Sequence, residues 1–560
     1  MISMENVQTE KVFLLGFVDI YEHSDIDPAK LLKALPQTAA LEFISYLLHL
    51  YNVRKRSDFK FQSHHLMQWM MQLESPDKKK VADFVQRESK LIFDSSFKLI
   101  DRRPCLDLIQ HILVYCTTND RTLNQSDYTI LFKCLLHFNS TENKTQEKLF
   151  NWTGDGSIEQ FANHILTVQV RNIEHERFKD YVIQFLKVYY FFSFCESHKK
   201  YANYLNSFLS SLGLSSYSVY LWKLINPYLK LMVSETPSPK MYLDDNIEPL
   251  AFYDRLTINE KIAATDKDYK PLRQYPLFGS GKNRYVFLDF RFFVDKLYQG
   301  FLFDFCAVNK IPFSSLKADM GNEFSEHVLF YIIMAKCFNN YGDVRLPGEE
   351  IKPKIGSGEP DYYIRKGLDV FVFEFKDLVI TADIKYSNDP EKIKQGIAEK
   401  LERTTDGKRK GISQLLNTIK DIGNGLYKAK AVDDIEIDEV DFYPIIVHTD
   451  ITLESCGVNY FLNKRMSELS EQLGLSNFKI KGLVMINIDT LIQLQDHFKD
   501  GKLNLRDSIN SYLGYISSAN PQTATFPFDE FVKYYFVQTN KGNIGNPKDF
   551  KEIIASFTPH

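Results

Sequence analysis

The sequence predicts an α/β protein in which a large N-terminal all-α domain is followed by a mixed sheet flanked by helices. Residues 1–233 carry apolar side chains at helical spacing, as in Thr38–Val53. From about residue 316, short apolar runs alternate with helical patterns, an order typical of a mixed or parallel sheet covered on its faces. A chain of 560 residues is also too long for one typical domain.

The domain boundaries follow from turn residues and from changes in pattern. Ser234–Lys240 is rich in Pro and Ser, which predicts a linker. After it, Arg284–Phe290 alternates like a strand and Phe292–Phe305 has the pattern of an aromatic-rich helix. The predicted division is a helical domain over residues 1–233, a linker and bridging unit over 234–315, an α/β domain over 316–500 and a helical tail over 501–560.

The α/β segment can be divided into a series of predicted helices and strands. Apolar runs bounded by turn residues predict strands, and apolar residues three and four apart predict helices. The predicted elements are a helix over Asn322–Phe338, a strand or hairpin over Pro360–Ile364, strands over Val370–Lys376, Phe442–His448 and Phe478–Ile488, and helices over Ile412–Ile422, Leu462–Leu473 and Thr490–Phe498.

Composition restricts the class of protein. The formal net charge is −4, so nucleic-acid contacts would have to come from a local basic patch. No apolar run approaches the ~18 residues of a membrane-spanning helix, and Met1–Glu10 lacks a signal-peptide pattern. The scattered cysteines form no CxxC pair, which favours reduced thiols and a cytoplasmic location.

One stretch points to chemistry. Asp361 follows Gly358-Glu359-Pro360, and thirteen residues later Glu374 and Lys376 stand inside an apolar strand. Strand side chains alternate between faces, so Glu374 and Lys376 point the same way. Charges in a buried strand are costly unless something pairs them, and a divalent metal ion would do so. Two carboxylates ~4 Å apart repel by roughly 4 kcal/mol at a dielectric near 20, and Mg²⁺ or Mn²⁺ would reverse the sign.

The order helix, Pro-Asp, Glu-x-Lys, helix resembles the PD-(D/E)XK nuclease superfamily, whose fold is restriction-endonuclease-like. The resemblance covers roughly residues 316–488. It implies that Asp361 and Glu374 bind Mg²⁺ and that Lys376 assists the attacking water. It also implies a glutamine on the following helix, and Gln414 fits that place.

The same resemblance implies an acidic residue on the helix before the motif, in a Gly-x-x-Phe-Glu setting. This chain has Gly321-Asn-Glu323-Phe324-Ser325-Glu326, so Ser325 stands where the glutamate is expected. Glu323 and Glu326 lie three apart on one helical face and are the substitutes, of which Glu326 is favoured as catalytic residue and metal ligand.

Alternatives remain at several positions. Asp383-Ile384-Lys385 is a rival D-x-K in a shorter, less apolar context, and Asp369 and Asp377 are predicted to be strand-end surface residues. His448 could approach the site, or be a structural histidine. Lys408-Arg409-Lys410 is the densest point of a basic segment that either binds nucleic-acid phosphates or is a solvated loop.

The expected function is that of a Mg²⁺-dependent nuclease acting on phosphodiester bonds, with DNA the expected substrate. A large helical partner domain resembles stand-alone bacterial restriction or anti-phage effectors, and would serve recognition, regulation or assembly into a homodimer or larger oligomer. The alternatives are a nuclease fold kept as a nucleic-acid or protein binding module without cleavage, and a helical scaffold in which the motif is accidental.

Overall fold

The computed structural model describes residues 13–22, 26–53, 59–93, 97–116, 121–149, 156–177, 179–233, 238–243, 250–258, 262–402, 410–437 and 439–557. Its contacts divide the chain into two compact units. The first unit comprises residues 1–148 and 204–309, and the second comprises residues 149–203 and 310–560. Within the described part of the N-terminal region, helices dominate, as predicted.

The first unit is mostly helical. Its core joins helices near the N-terminus to residues as far along the chain as Leu288 and Phe292. The helices in this part of the chain are Phe17–Ile20, Pro28–Leu32, Gln37–Val53, Phe59–Gln72, Ser75–Arg87, Ser89–Ile92, Arg102–Tyr115, Gln125–Leu149, Lys199–Ser211, Tyr217–Val233, Leu250–Asp254, Lys270–Gln274, Phe290–Asp295 and Gln299–Asn309. Phe13–Leu14 pairs with Phe97–Lys98, and a small mixed sheet has the order Lys240–Tyr242, Arg284–Phe287, Leu277–Gly281, Thr257–Ile258.

The second unit contains a mixed sheet with Asp369–Lys376, the motif strand, at its centre. On one side the motif strand runs antiparallel to Tyr362–Lys366, which in turn pairs with Val344–Pro347. On the other side it runs parallel to Asp441–His448. That strand continues the sheet in parallel with Lys479–Ile480 and Val484–Asn487.

Helices cover both faces of this sheet. Val370 and Val372 of the motif strand share a core with Leu415 and Ile419, whereas Phe375 stacks on Phe330 with centroids 4.9 Å apart. The helices of the unit are Ile158–Glu176, Tyr181–Ser197, Phe313–Met320, Tyr331–Phe338, Gly348–Ile355, Ala382–Lys385, Pro390–Leu401, Gly411–Gly423, Leu426–Ala429, Val458–Gln472, Ile488–Lys499, Leu505–Ile516, Pro521–Ala524, Phe528–Asn540 and Lys548–Phe557, with a 3₁₀ turn at Ile451–Glu454.

The helix predicted over Asn322–Phe338 exists but changes type along its length. Gly321–Phe330 is a π-helix, and Tyr331–Phe338 continues it as an α-helix. π-helical turns are rare, and they occur frequently at functional sites. The wider turn alters which residues share a face, and this matters for the acidic residues that this segment carries.

Several boundaries differ from the sequence expectation. The division into units does not fall at residue 233, because the helix Tyr181–Ser197 packs in the second unit, where Lys187 Nζ lies 2.9 Å from an Asp489 oxygen. The strand expected over Phe478–Ile488 is two short strands, and the helix expected over Phe292–Phe305 is also split in two. The edge strand Val344–Pro347 was not predicted.

Candidate active site

Asp361 is held against the motif strand by two hydrogen bonds, one from its backbone and one to its side chain. It directly precedes Tyr362, which lies opposite Phe373 in the antiparallel pair. The N–H of Asp361 donates to the carbonyl of Phe373 at 3.0 Å. Its Oδ2 accepts the N–H of Phe375 at 2.5 Å. The carboxylate therefore lies beside the Glu-Phe-Lys stretch of the motif strand.

Glu374 is buried, with 1% of its side chain exposed. Its Oε1 accepts a hydrogen bond from Lys376 Nζ at 2.5 Å, as the shared face of the strand predicts. Its Oε2 is also buried and has no hydrogen-bond partner among the described residues. A buried carboxylate oxygen without a partner is costly, so this atom is available to a cation or water.

Burial and nearby acidic groups raise the pKa of each of the three carboxyls. Burial and the nearby Asp361 raise the pKa of Glu374 to about 8. Burial and Asp361 likewise raise the pKa of Glu326 to about 7. Burial also raises the pKa of Asp361, against the attraction of Lys376. Three carboxyls and one ammonium therefore share one partly desolvated region, and perturbed groups of this kind cluster at functional sites.

The geometry distinguishes Glu326 from Glu323. Glu323 is exposed and its Oε2 lies 3.5 Å from His198 Nε2. Glu326 is the better covered of the two and interacts electrostatically with Asp361 and Lys376. Glu326 is thus the helix carboxylate that belongs with the motif.

Ser325, which replaces the expected glutamate, faces a different group. Its hydroxyl donates to Asp377 Oδ2 at 2.8 Å, and Lys317 Nζ approaches Asp377 Oδ1 at 2.6 Å. Despite burial, the contact with Lys317 keeps the pKa of Asp377 low.

The prediction that Asp369 and Asp377 are surface residues is wrong, because both side chains are buried against cations. Asp377 pairs with Lys317, and Asp369 lies 3.0 Å from Arg506. Such pairing compensates for the loss of hydration.

The remaining candidates have hydrogen bonds of their own or lie outside the described residues. Gln414 accepts the Gly411 N–H at 2.8 Å and so stabilises the start of its own helix. Lys410 is described, with Nζ 3.5 Å from the Glu399 carbonyl. Lys408 and Arg409 lie outside the described residues.

The rival D-x-K motif has a different environment. Asp383 and Lys385 belong to the four-residue helix Ala382–Lys385, not to a strand. Lys385 pairs with Glu174, while Asp383 is exposed. His448 is completely buried, its pKa is lowered chiefly by burial, and it lies opposite Lys376 in the parallel register.

The donor set fits a hard divalent cation in its chemistry. Asp361, Glu374 and Glu326 offer carboxylate oxygens, the ligands that Mg²⁺ and Mn²⁺ take in proteins. The unpartnered Oε2 of Glu374 is the atom that such an ion would satisfy. Within the described ranges, no three His, Cys, Asp or Glu side chains are already close enough to hold an ion together.

Sequence reasoning missed two residues beside this cluster, His327 and Glu349. His327 follows Glu326 on the π-helix, with Nε2 3.7 Å from Glu326 Oε1. Its Nδ1 lies 3.3 Å from Glu349 Oε1. The available signal was the histidine directly after the favoured glutamate, which an α-helical projection places on another face.

Gly348 allows the close approach of two backbones at the site. Its N–H donates to the Asp361 carbonyl at 3.0 Å, and a Cβ on Gly348 would lie 2.5 Å from the carbonyl oxygen of Pro360. Gly348→Ala is therefore expected to displace the Pro360-Asp361 turn and to lower the free energy of unfolding by about 1–3 kcal/mol. Urea denaturation measures this.

The matched control is Gly514→Ala, where a Cβ meets nothing within 4 Å inside a helix. That change is expected to be neutral or to stabilise by about 0.5–1 kcal/mol. Equal stability of the two variants would contradict the proposed crowding at Pro360.

The raised pKa of Glu374 predicts how stability depends on pH. In the folded protein the Glu374 carboxyl keeps its proton up to a pKa of about 8. In the unfolded chain the same carboxyl loses its proton near the ordinary pKa of 4.5. Stability from this group is therefore lost as pH rises from about 4.5 to 8 in ion-free buffer. Glu374→Gln should flatten this part of the stability curve, as measured by thermal unfolding at several pH values. Parallel curves for the two proteins would disprove the assigned pKa.

Comparison with known proteins finds no match to any protein-family model, any curated protein or any solved structure. The resemblance of the motif to the nuclease superfamily accordingly stays a prediction from its residues. In the parts of the chain that are described, no helix combines the length and the apolar character needed to cross a membrane.

Proposed function

We propose that the second unit is a nuclease dependent on Mg²⁺ or Mn²⁺, with a restriction-endonuclease-like fold. The observation that carries the proposal is Glu374. Its buried carboxylate has one oxygen on Lys376 and one without a partner among the described residues, within the field of Asp361 and Glu326. A purely structural carboxylate in a strand would be expected to have both oxygens satisfied.

Each residue of the cluster has a role in this proposal. Asp361, Glu374 and Glu326 would hold the ion, which when bound polarises a phosphodiester and lowers the pKa of water. The Lys376 ammonium lies next along the same strand face and would orient the attacking water by a hydrogen bond and stabilise the charge that develops. Burial of the site strengthens these electrostatic interactions.

The substrate and setting are extensions of the same proposal. DNA is the expected substrate and internal cleavage the expected action, with phosphate contacts from Lys410 and its neighbours Lys408 and Arg409. The first unit would serve recognition, regulation or assembly into a homodimer or larger oligomer. Such an arrangement suits a bacterial restriction or anti-phage effector.

The test is a cleavage assay with the full chain. Wild type and Lys376→Ala are incubated with plasmid DNA and with RNA, in Mg²⁺, in Mn²⁺ and in EDTA. We expect cleavage by wild type only with a divalent ion, and a reduction of about 10²-fold or more in Lys376→Ala. Equal cleavage by both proteins, or cleavage in EDTA, would contradict the proposal.

A second candidate is a binding module that keeps the fold without cleavage. The hydrogen bond from Lys376 Nζ to Glu374 Oε1 favours it, because it gives Lys376 a partner within the strand without any metal ion. In that case wild type binds DNA or RNA in a filter-binding assay but does not cleave it under any ion condition.

A further inference from the structure

His327 lies at the edge of the acidic cluster with its ring held from two sides. Its ring stacks on that of Tyr331, with centroids 5.7 Å apart and 24° between the planes. Glu349 Oε1 approaches Nδ1 at 3.3 Å. In this orientation of the ring, the other nitrogen, Nε2, lies 3.7 Å from Glu326 Oε1.

This is the arrangement of a histidine prepared to bind a metal. A ligating histidine commonly donates its second ring N–H to a carboxylate, which fixes the tautomer and leaves the other nitrogen free to coordinate. Glu349 can accept the Nδ1 proton, so the lone pair of Nε2 would face Glu326. Two ligand atoms 3.7 Å apart can share one cation with bonds of ~2.2 Å.

A separate observation indicates that the same cluster needs a cation. Glu374 Oε2 is fully buried and unpartnered among the described residues, and Glu374 interacts electrostatically with Glu326. His327 in turn interacts with Asp361. The imidazole therefore belongs to the electrostatic field of the motif and not merely to the exposed face of the helix.

We propose that His327 Nε2 is a further ligand of the divalent ion, with Glu349 as its positioning residue, and that the site therefore selects Mn²⁺ over Mg²⁺. The inference rests on the proposed function, since it concerns the ion of the same site. Mg²⁺ takes oxygen ligands almost exclusively and gains little from an imidazole. First-row transition ions accept nitrogen, so the same histidine strengthens Mn²⁺ binding.

The chain supplies a matched control in His198, which lies against Glu323 of the same π-helix. His198 lies 3.5 Å from Glu323 and is as exposed as His327, at 40% against 39% of the side chain. Glu326 interacts electrostatically with Asp361, whereas Glu323 is exposed and lies against His198, so the two His–Glu pairs match in composition and differ in their surroundings. His198→Ala should leave ion binding unchanged.

The experiment measures ion binding directly in the full-length protein. Mn²⁺ is added to wild type, His327→Ala, Glu349→Gln, His198→Ala and Glu374→Gln. Pulsed electron paramagnetic resonance then detects ¹⁴N coupled to the bound Mn²⁺. Titration calorimetry gives Kd for Mn²⁺ and for Mg²⁺ in the same proteins, and circular dichroism checks that each variant is folded.

We expect a ¹⁴N coupling in wild type and in His198→Ala that is lost in His327→Ala. The Mn²⁺ Kd should rise by about 10- to 100-fold in His327→Ala and by about 10-fold in Glu349→Gln. The Mg²⁺ Kd should change by less than about 3-fold, because its oxygen ligands remain.

Two outcomes overturn the inference in different ways. If Mn²⁺ binds in a Glu374-dependent manner but shows no ¹⁴N coupling, the ion site of the proposed function stands and His327 is not a ligand. If wild type binds no Mn²⁺, or binds it equally well in Glu374→Gln, the proposed function and the role of His327 both fail.

Discussion

Glu374→Gln is expected to lower the rate of divalent-ion-dependent cleavage by about 10³-fold or more. The substitution keeps the shape of the side chain but removes the charge that would bind the ion. Because Glu374 is buried beside Asp361, no exposed carboxylate can take its place. Initial rates on plasmid DNA with saturating Mg²⁺ or Mn²⁺ provide the measurement.

The control for this prediction is Glu323→Gln, on the π-helix but directed at His198. It is expected to cleave within about 3-fold of wild type, as a surface change away from the site should. If Glu323→Gln were as inactive as Glu374→Gln, the assignment of Glu326 as the helix carboxylate would be wrong.

Asp289→Ala is expected to lower the free energy of unfolding by about 3–5 kcal/mol. Asp289 forms two hydrogen bonds with Arg102, at 2.8 and 3.2 Å, in the interior of the first unit. The pair is almost completely buried, at 2% and 0% exposed, so the substitution leaves a desolvated guanidinium. It also removes the acceptor for the Phe292 N–H at the start of a helix. Denaturant titration followed by circular dichroism measures the loss.

An exposed ion pair of the same unit provides the comparison. Arg87 and Glu88 are in contact at 3.0 Å but are largely solvated, and Glu88→Ala should cost less than about 0.5 kcal/mol. The double change Arg102→Met with Asp289→Ala should recover part of the loss, because the buried Arg102 guanidinium is then removed as well. A single Asp289→Ala as mild as Glu88→Ala would show that the pair contributes little.

The elements around the motif could be predicted because their signals are local. A strand was expected over Val370–Lys376 and is found over Asp369–Lys376, and the helix expected over Ile412–Ile422 spans Gly411–Gly423. Alternation with period two and apolar spacing of three to four residues determine such elements directly. The contact between Glu374 and Lys376 followed from the same alternation.

Features that depend on tertiary contacts could not be predicted. An α-helical projection cannot show that Gly321–Phe330 widens into a π-helix or that His327 joins Glu326. Asp377 looked like a strand-end surface residue because its partner, Lys317, is sixty residues away in the chain. The packing of residues 149–203 in the second unit likewise depends on long-range pairs such as Arg177 with Glu454.

The proposed ion site is tested by comparing the two aspartates that precede the two candidate lysines. Asp361→Asn and Asp383→Asn remove the same charge, one inside the acidic cluster and one on an exposed short helix. With plasmid DNA and Mg²⁺ or Mn²⁺, we expect Asp383→Asn to cleave like wild type and Asp361→Asn to lose about 10²-fold or more of the cleavage rate. Full activity in Asp361→Asn, or loss of activity only in Asp383→Asn, would contradict it.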